Sequence, residues 1–321
     1  MKRTYVEILS KIKQAKTIAL FTHSSPDPDA IGSILTFYEI IKQLGKEADM
    51  FCGDKPDKFL FLPNYEKLNP ELKEYDLLIT LDTGGPSQLD DYEQYFLSHE
   101  NTIRIDHHEN GKAFAKLNLM VPESSCTVLI FDIIKLFKLK VTPLMATYMY
   151  FGICGDTGVF KFSNTDSKTF EVSAKLLKFG ADIKKVYDEY FEKTSVSRIK
   201  LVANIMLNSK INDEVGYVIL KVKLKDYEKY GATIDENLSN LPNEFLNCGY
   251  KFAAILKERE DKISCSFRSK NRYDCSIVAS KFGGGGHTYA AACSFQESIE
   301  SVEKKLEKEI IKYIKGEDEK C

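Results

Sequence analysis

Three times in the first third of the chain, a short apolar run stops abruptly on carboxylates and imidazoles. TIALFT (17–22) leads into His23, Asp27 and Asp29, LLITL (77–81) into Asp82, and TIRI (102–105) into Asp106, His107 and His108. Runs of this length, rich in Ile and Leu and followed by turn formers, predict buried strands. Between them lie segments of helical periodicity, DAIGSILTFYEIIKQLG (29–45) being the clearest, closed by Gly45. Strands alternating with helices imply an α/β fold, a mainly parallel sheet with helices on both faces. Such a sheet binds ligands beyond the carboxyl ends of its strands. The fold therefore gathers on one edge the residues at which the apolar runs end.

A fourth cluster has the same character: YMYFGIC (148–154) runs into Gly155 and Asp156. KEADMFC (46–52) predicts another strand; SSCTVLIFDIIKLFKL (124–139), TPLMATYMYFGICG (142–155) and SKTFEVSAKLLKFG (167–180) predict helices. The texture changes near residue 190. GYVILKVKL (216–224), KFAAILKERE (251–260) and KISCSFRS (262–269) alternate like strands of an antiparallel or mixed sheet, followed by a glycine run and a charged helix (298–315). We expect a catalytic metal-binding domain over 1–187, a helical linker over 188–208, and a smaller α/β substrate-binding domain over 209–321.

The ligand types indicate what is gathered. Five aspartates (27, 29, 82, 106, 156) and three histidines (23, 107, 108), with no thiolate, suit a hard or borderline divalent ion such as manganese or magnesium. That many ligands exceed the need of one ion. Two metals about 3.5–4 Å apart share a bridging carboxylate and activate a water, and phosphoryl chemistry is the commonest use of such a pair. One Asp at a strand end is ordinarily a helix cap or turn residue. The weight lies in concentration: of five histidines in the chain, only His99 falls outside the suspect motifs, the fifth being His287.

Forty-five basic against 47 acidic residues give a net charge of −2, so no basic field invites long nucleic acid. LMATYMYFGICG (144–155) is too short to span a bilayer, and the charged N-terminal segment does not resemble a signal peptide. The eight cysteines form no C-x-x-C pair and are expected to be reduced thiols of a cytoplasmic protein.

Taken in order, H-x-x-x-D-x-D, a lone Asp after a strand, D-H-H and G-D-T-G (155–158) resemble the four motifs of the DHH phosphoesterase superfamily. The chain is similar to its stand-alone NrnA-type members, the nano-RNA and 3′-phosphoadenosine-5′-phosphate (pAp) phosphatases and their cyclic-dinucleotide-cleaving relatives. SFRSK (266–270) and FGGGGHTYAAAC (282–293) resemble the DHH-associated substrate domain, so the likeness covers nearly the whole chain. It implies one metal on His23, Asp27 and Asp82, and a second on Asp29, Asp82, His107 and Asp156. It implies that Asp106 orients the neighbouring imidazoles and that His108 faces the scissile phosphate, stabilising charge or delivering a proton. Arg268 would fork onto a terminal phosphate, with Gly284, Gly285, Gly286 and His287 as the phosphate-holding wall and Ser269 and Lys270 as weaker candidates. Pro28, between the two aspartates, and Ala292, closing the G-G-G-H-x-x-A-A run, stand where the family usually has glycine.

The function implied is manganese-dependent hydrolysis of very short nucleotides, such as pApA, oligoribonucleotides of a few residues and cyclic di-AMP, to mononucleotides. Magnesium or cobalt could serve in place of manganese. A pAp phosphatase is the nearest rival. Family II inorganic pyrophosphatase shares the first-domain motifs, but GGGGH argues against it. A nucleotide sensor without catalysis is disfavoured because every expected ligand is present. The family association is compatible with a homodimer; no membrane partner is expected.

Overall fold

The computed structural model describes residues 2–108, 112–234, 236 and 238–319. Its Cα framework divides into two compact units, Met1–Lys193 and Thr194–Cys321.

In the first unit β1 (Thr17–Phe21), β2 (Glu47–Phe51), β3 (Leu77–Leu81), β4 (Thr102–Asp106) and β5 (Leu117–Met120) form one sheet in the order β2-β1-β3-β4-β5. Every pair is parallel. The chain passes from β1 to β2 on one side and then to β3 on the other, so the strand order reverses between β1 and β3. In α/β sheets the crevice at such a reversal is the usual ligand site. β3 and β4 are buried along their whole length, which explains their unbroken apolar character up to the terminal acids.

Helices α1 (Lys2–Gln14), α2 (Pro28–Gln43), α3 (Glu93–Ser98), α4 (Cys126–Leu136), α5 (Pro143–Asp156), α6 (Ser167–Lys178) and α7 (Ile183–Val186) surround this sheet. The main core lies under α1, α2, α4 and α5, and a smaller aromatic cluster around Phe21, Phe51 and Phe96 lies on the opposite face beside α3. Asp27 caps α2: its Oδ1 accepts from the amides of Asp29 and Ala30 at 2.9 and 3.0 Å, and Pro28 supplies the first helical residue. α2 is buried nearly all round because α5 packs directly on it. Two glycines of α5 make the approach. A Cβ on Gly152 would lie 2.6 Å from both Asp29 Oδ1 and Thr127 Cγ2, and one on Gly155 would lie 2.6 Å from Pro28 Cβ. Pro28, unexpected from the motif, is thus the residue that fills the space over Gly155.

The second unit holds β6 (Lys210–Asn212), β7 (Tyr217–Val222), β8 (Phe252–Glu258), β9 (Ile263–Ser269), β10 (Gly285–His287) and β11 (Ala290–Phe295). Their order is β10-β11-β9-β8-β7-β6, antiparallel except for β7 with β8. Helices α8 (Val196–Leu207), α9 (Leu224–Tyr230) and α10 (Pro242–Asn247) cover the β7–β8 part of one face, while α11 (Cys275–Ser280) and α12 (Ile299–Asp318) cover the other. α12 buries Ile299, Val302, Leu306, Ile310 and Ile314 at helical spacing. Each such side chain contributes about 1.5–3 kcal/mol, an upper estimate that shows why a highly charged helix stays docked.

The expected linker is not a separate element in the structure. Tyr190 stacks on Phe59 in the first core, whereas Leu201 and Ile205 of α8, one turn apart, are fully buried in the second. No described helix is long and apolar enough to cross a membrane. Seven cysteines are free thiols; Cys321 lies outside the described residues.

Candidate metal centre

The loop after β1 is held at both ends before it delivers its ligands. The Thr22 amide donates to the Phe51 carbonyl at 3.1 Å, and the Ser24 amide to that of Gln88 at 2.7 Å. His23, between these two anchors, and Asp27 after them lie at the mouth of the β1–β3 crevice, and Asp29, inside the first turn of α2, is fully buried. Asp82 ends β3 in the left-handed region at φ 52°, a conformation disfavoured for a residue with a Cβ and found preferentially where a side chain must be aimed. Asp156 is the last residue of α5, with its carbonyl accepting from Asn164 Nδ2 at 3.1 Å.

These elements bring three groups of side chains together, each offering ligand atoms within 4.8 Å of one another: His23, Asp27 and Asp82; Asp29, His107 and Asp156; and Asp82, His107 and His108. Asp82 and His107 belong to two groups each. His107 Nε2 lies 3.3 Å from Asp82 Oδ1, 3.1 Å from Asp156 Oδ2 and 3.9 Å from Asp29 Oδ2; His23 Nε2 lies 3.9 Å from both Asp27 and Asp82.

The charge balance is lopsided. Burial, then Asp156 and Asp82, push Asp29 well above the usual carboxylate range. Burial also raises Asp156, with Asp82 and Asp27 adding to it. Burial alone would lower His107, but the Asp156 and Asp82 carboxylates beside it prevail and hold it up at about 12. Carboxylates this crowded call for cations among them.

The imidazoles are oriented from behind. His107 Nδ1 donates to the Glu123 carbonyl at 3.0 Å, which fixes the tautomer and turns Nε2 toward the carboxylates. His108 Nδ1 donates to Asp106 Oδ1 at 2.7 Å, leaving the half-exposed ring's Nε2 for a ligand. The Asp106 hydrogen bond raises His108. Asp106 itself is fully buried and paired with Arg104, whose guanidinium also donates to the carbonyls of Thr83, Lys112 and Gly84.

Donor chemistry and geometry fit hard divalent ions. The set is carboxylate oxygen and imidazole nitrogen only, and Asp82 Oδ1, at a residue 2 % exposed, has no hydrogen-bond partner among the described residues, His107 Nε2 standing 3.3 Å away. A buried, aimed carboxylate that belongs to two ligand groups, Oδ2 toward His23 and the orphaned Oδ1 toward His107 and His108, suits a bridging position. Asp29 is the least free of the set. Its Oδ2 accepts from the Cys126 amide at 2.5 Å, and its Oδ1 from the Thr127 amide and hydroxyl at 3.1 and 2.8 Å, tying α2 to the N-terminus of α4.

In the second unit, Arg268 on β9 donates to the Phe267 carbonyl at 2.8 Å and to Asn240 Oδ1 at 3.0 Å. Ser269, the next residue, points to the opposite face; it is 4 % exposed and its hydroxyl donates to the Tyr273 and Thr288 carbonyls. Lys270 donates to the Leu246 carbonyl at 2.5 Å. Ser269 therefore serves the turn after β9 and Lys270 the end of α10, and neither hydroxyl nor ammonium is directed as the Arg268 guanidinium is. In the glycine run, a Cβ on Gly284 would lie 2.1 Å from the Ala292 carbonyl oxygen, and Gly286 adopts φ 144°, so these two are required by the β10–β11 pairing. Gly285 has no such demand, with open space where a side chain would be, and His287 is exposed.

Sequence reasoning missed Arg104, the Glu123 carbonyl and the α4 amides. Arg104 left a trace: a guanidinium inside TIRID, two residues from Asp106 and so on the same face of β4.

Residues 17–153 match the N-terminal domain of the DHH family, and residues 214–316 match the DHHA1 domain. The chain is 31% identical over 295 residues to the bifunctional oligoribonuclease and PAP phosphatase NrnA of Bacillus subtilis (strain 168), covering 90% of this chain and 92% of the relative. It is 30% identical to the protein of the same description from Thermus thermophilus, covering 92% of this chain and 88% of that one. In fold it resembles an exopolyphosphatase-related protein from Bacteroides fragilis, with TM-score 0.86, 23% identity, and coverage of 98% and 97% of the two chains. The motifs, the crevice that gathers them and these matches lead to one conclusion: this chain belongs to the DHH phosphoesterase superfamily, hydrolases of phosphoric esters, as a member carrying a DHHA1 domain.

Proposed function

We propose that the protein is a cytoplasmic, manganese-dependent phosphodiesterase that cuts very short nucleotides, pApA and oligoribonucleotides of a few residues, to mononucleotides, with cyclic di-AMP as a further substrate. The observation that carries this reading is the buried Asp82 carboxylate, which groups with His23 and Asp27 on one side and with His107 and His108 on the other, while His107 also groups with Asp29 and Asp156. His23, Asp27 and Asp82 would hold one ion, and Asp29, Asp82, His107 and Asp156 the other. When bound, such a pair activates a water at neutral pH and neutralises charge on the phosphoryl oxygens.

The remaining work falls to the chain's own side chains. Asp106 holds His108 through Nδ1 and favours the imidazolium, so Nε2 carries a proton for the leaving oxygen. Burial would raise Asp106, but the His108 hydrogen bond and charge, and after them Arg104, hold it ionised, with Arg104 also keeping it in place. Arg268 offers its fork to a substrate phosphate, and Gly285 and His287 present an open backbone edge and an imidazole. Ser269 and Lys270 support the Arg268 strand from behind. The relatives named as oligoribonuclease and PAP phosphatase favour the same chemistry, and make pAp the second substrate to test.

The test is hydrolysis by purified protein with manganese of pApA, cyclic di-AMP, longer oligoribonucleotides, pAp and pyrophosphate, beside His107→Ala. We expect metal-dependent release of mononucleotide from the shortest substrates and a loss of at least a hundredfold in the variant, the size typical of losing a metal ligand's support. Activity that survives chelation or the substitution overturns the reading.

A further inference from the structure

Cys265 and Cys293 face each other across two strands of the second unit. In the antiparallel β9–β11 register they are direct partners, and of the described cysteines only these two lie on strands. Both side chains belong to the core that α11 and α12 cover, on the opposite face from Arg268; Cys265 is fully buried and Cys293 is 9 % exposed. Directly opposed residues of such a pair have Cα atoms about 4.5–5.5 Å apart, inside the roughly 4.4–6.8 Å that a disulfide spans. A single buried cysteine would read as a small apolar residue. Two in direct opposition differ, because each thiol is the other's reaction partner.

The pair is asymmetric. Burial, then Cys293, push the Cys265 thiol well above its ordinary value, while Cys265 beside it lowers Cys293. Cys293 is therefore the readier thiolate, and the thiolate is the reactive form. It is also the less enclosed of the two. A Cβ on Gly284 would fall 2.5 Å from Cys293 Cβ and 2.9 Å from its Cα, so on that side Cys293 is covered by bare backbone.

We propose that hydrogen peroxide reversibly converts Cys265 and Cys293 to a disulfide, and that this bond lowers hydrolysis by drawing β11, and with it the glycine run, toward β9. The effect on hydrolysis rests on the short-nucleotide reading above. The Cys293 thiolate attacks one peroxide oxygen, the O–O bond breaks, and a sulfenic acid forms while hydroxide leaves and takes up the proton that the thiol released. The Cys265 sulfur then attacks the Cys293 sulfur. The S–S bond forms, the S–O bond breaks, and the departing hydroxide takes the Cys265 proton. Two thiols lose two electrons and two protons, and one peroxide becomes two waters. Thiol reductants reverse such a bond, and the pair rests as thiols where they abound.

The bond moves the strand. Opposed Cβ atoms start about 4.5–5.5 Å apart, and a disulfide brings them to about 3.8 Å, a closure on the order of 1 Å. Gly284 has no side chain to absorb that shift, and β10 follows through the pairing of Gly285 with Ala292 and Gly286 with Ala291. A displacement of about 1 Å in a group that positions substrate can cost about a hundredfold in rate.

The full chain is treated with hydrogen peroxide in metal-free buffer, the excess is removed with catalase, and one portion is returned to dithiothreitol. Mass spectrometry of a non-reduced digest should show peptides joined through Cys265 and Cys293, two hydrogens lighter than the free pair, and separated by the reductant. Hydrolysis of pApA with manganese should fall roughly tenfold or more in the oxidised protein and return on reduction. Reduced Cys293→Ala should match wild type and lose the response to peroxide. Cys275→Ala, which removes the third thiol bearing on Cys265, should keep it. Absence of the joined peptides, sulfinic acid on Cys293 in their place, an undiminished rate in the joined protein, or inhibition that persists in Cys293→Ala overturns the proposal. Should Cys293→Ala not fold, Cys265→Ala makes the same test, and the wild-type digest needs no variant. If reduced wild type hydrolyses no short nucleotide, the functional reading fails while the digest still decides the disulfide.

Discussion

Replacing Arg104 with methionine should be among the most damaging single changes in the first unit, although Arg104 is not itself a candidate metal ligand. Arg104 is fully buried, and its guanidinium serves Asp106 and the carbonyls of Thr83, Gly84 and Lys112 at 2.7–3.1 Å. Removing one partner of a buried pair costs about 3–5 kcal/mol, here because Asp106 would keep only the half-exposed His108 as its counter-charge. The buried Thr83 would also lose the donor to its carbonyl, on the order of 1 kcal/mol or more, which the apolar methionine stem roughly offsets. A net loss of about 4 kcal/mol in a unit of this size lowers Tm by roughly 8–16 °C. Thermal and urea unfolding followed by circular dichroism measures it. Adding Asp106→Asn removes the stranded charge, so the double variant should recover part of the loss, a coupling that a double-mutant cycle isolates. A loss below about 1 kcal/mol, or no recovery in the double variant, refutes the account of Arg104 as the counter-charge that keeps Asp106 buried and ionised.

Gly152→Ala places a Cβ 2.6 Å from Asp29 Oδ1 and should cost about 1–3 kcal/mol and weaken metal binding, whereas Gly285→Ala, with nothing within 4 Å, should leave stability within about 0.5 kcal/mol; equal melting temperatures would contradict the packing argument. Manganese at a hundred times its Kd should raise stability by about 2.7 kcal/mol, and Asp82→Ala should abolish the increment in a melting assay with and without chelator. Burial, then Arg259 and Arg268, lower Lys257 in the folded state. The unfolded chain therefore binds more protons between the folded value and about 10.4, and wild-type stability rises with pH through that window. Lys257→Met should accordingly be more stable than wild type at pH 7, on the order of 1 kcal/mol, with the gap closing toward pH 10; a gap that does not change with pH counts against an uncompensated ammonium.

The parallel sheet and its ligand edge were legible because two local signals coincided, apolar runs of strand length and acids or imidazoles at their ends. β5 was not, since LNLM is a short, half-buried edge strand without a continuous apolar run. β10 and β11 were hidden for another reason. GGH and AAACSF have little strand propensity of their own and owe their conformation to the register with β9. Metal-ligand candidates could be named from motif order, but their supports could not. The Glu123 carbonyl and the α4 amides are backbone groups, which leave no mark in residue identity. Lys257 looked like the charged end of a strand, and only the folded sheet shows it turned inward beneath Ser239 and Ser266. Within the glycine run, sequence offers four equivalent residues, while the structure separates those the chain needs from the one it leaves open.

The contact of Gly152 and Gly155 with Asp29 and Pro28 turns α5 into a ruler. Asp156 follows Gly155 directly, so the carboxylate is measured off from the point where the two helices touch. One residue inserted between Gly152 and Asp156 would swing that carboxylate by about 100° and advance it about 1.5 Å. No side chain at a glycine contact can rearrange to absorb the error. Substitutions elsewhere on α5 can be tolerated one at a time, but the interval from Gly152 to Asp156 is fixed in length.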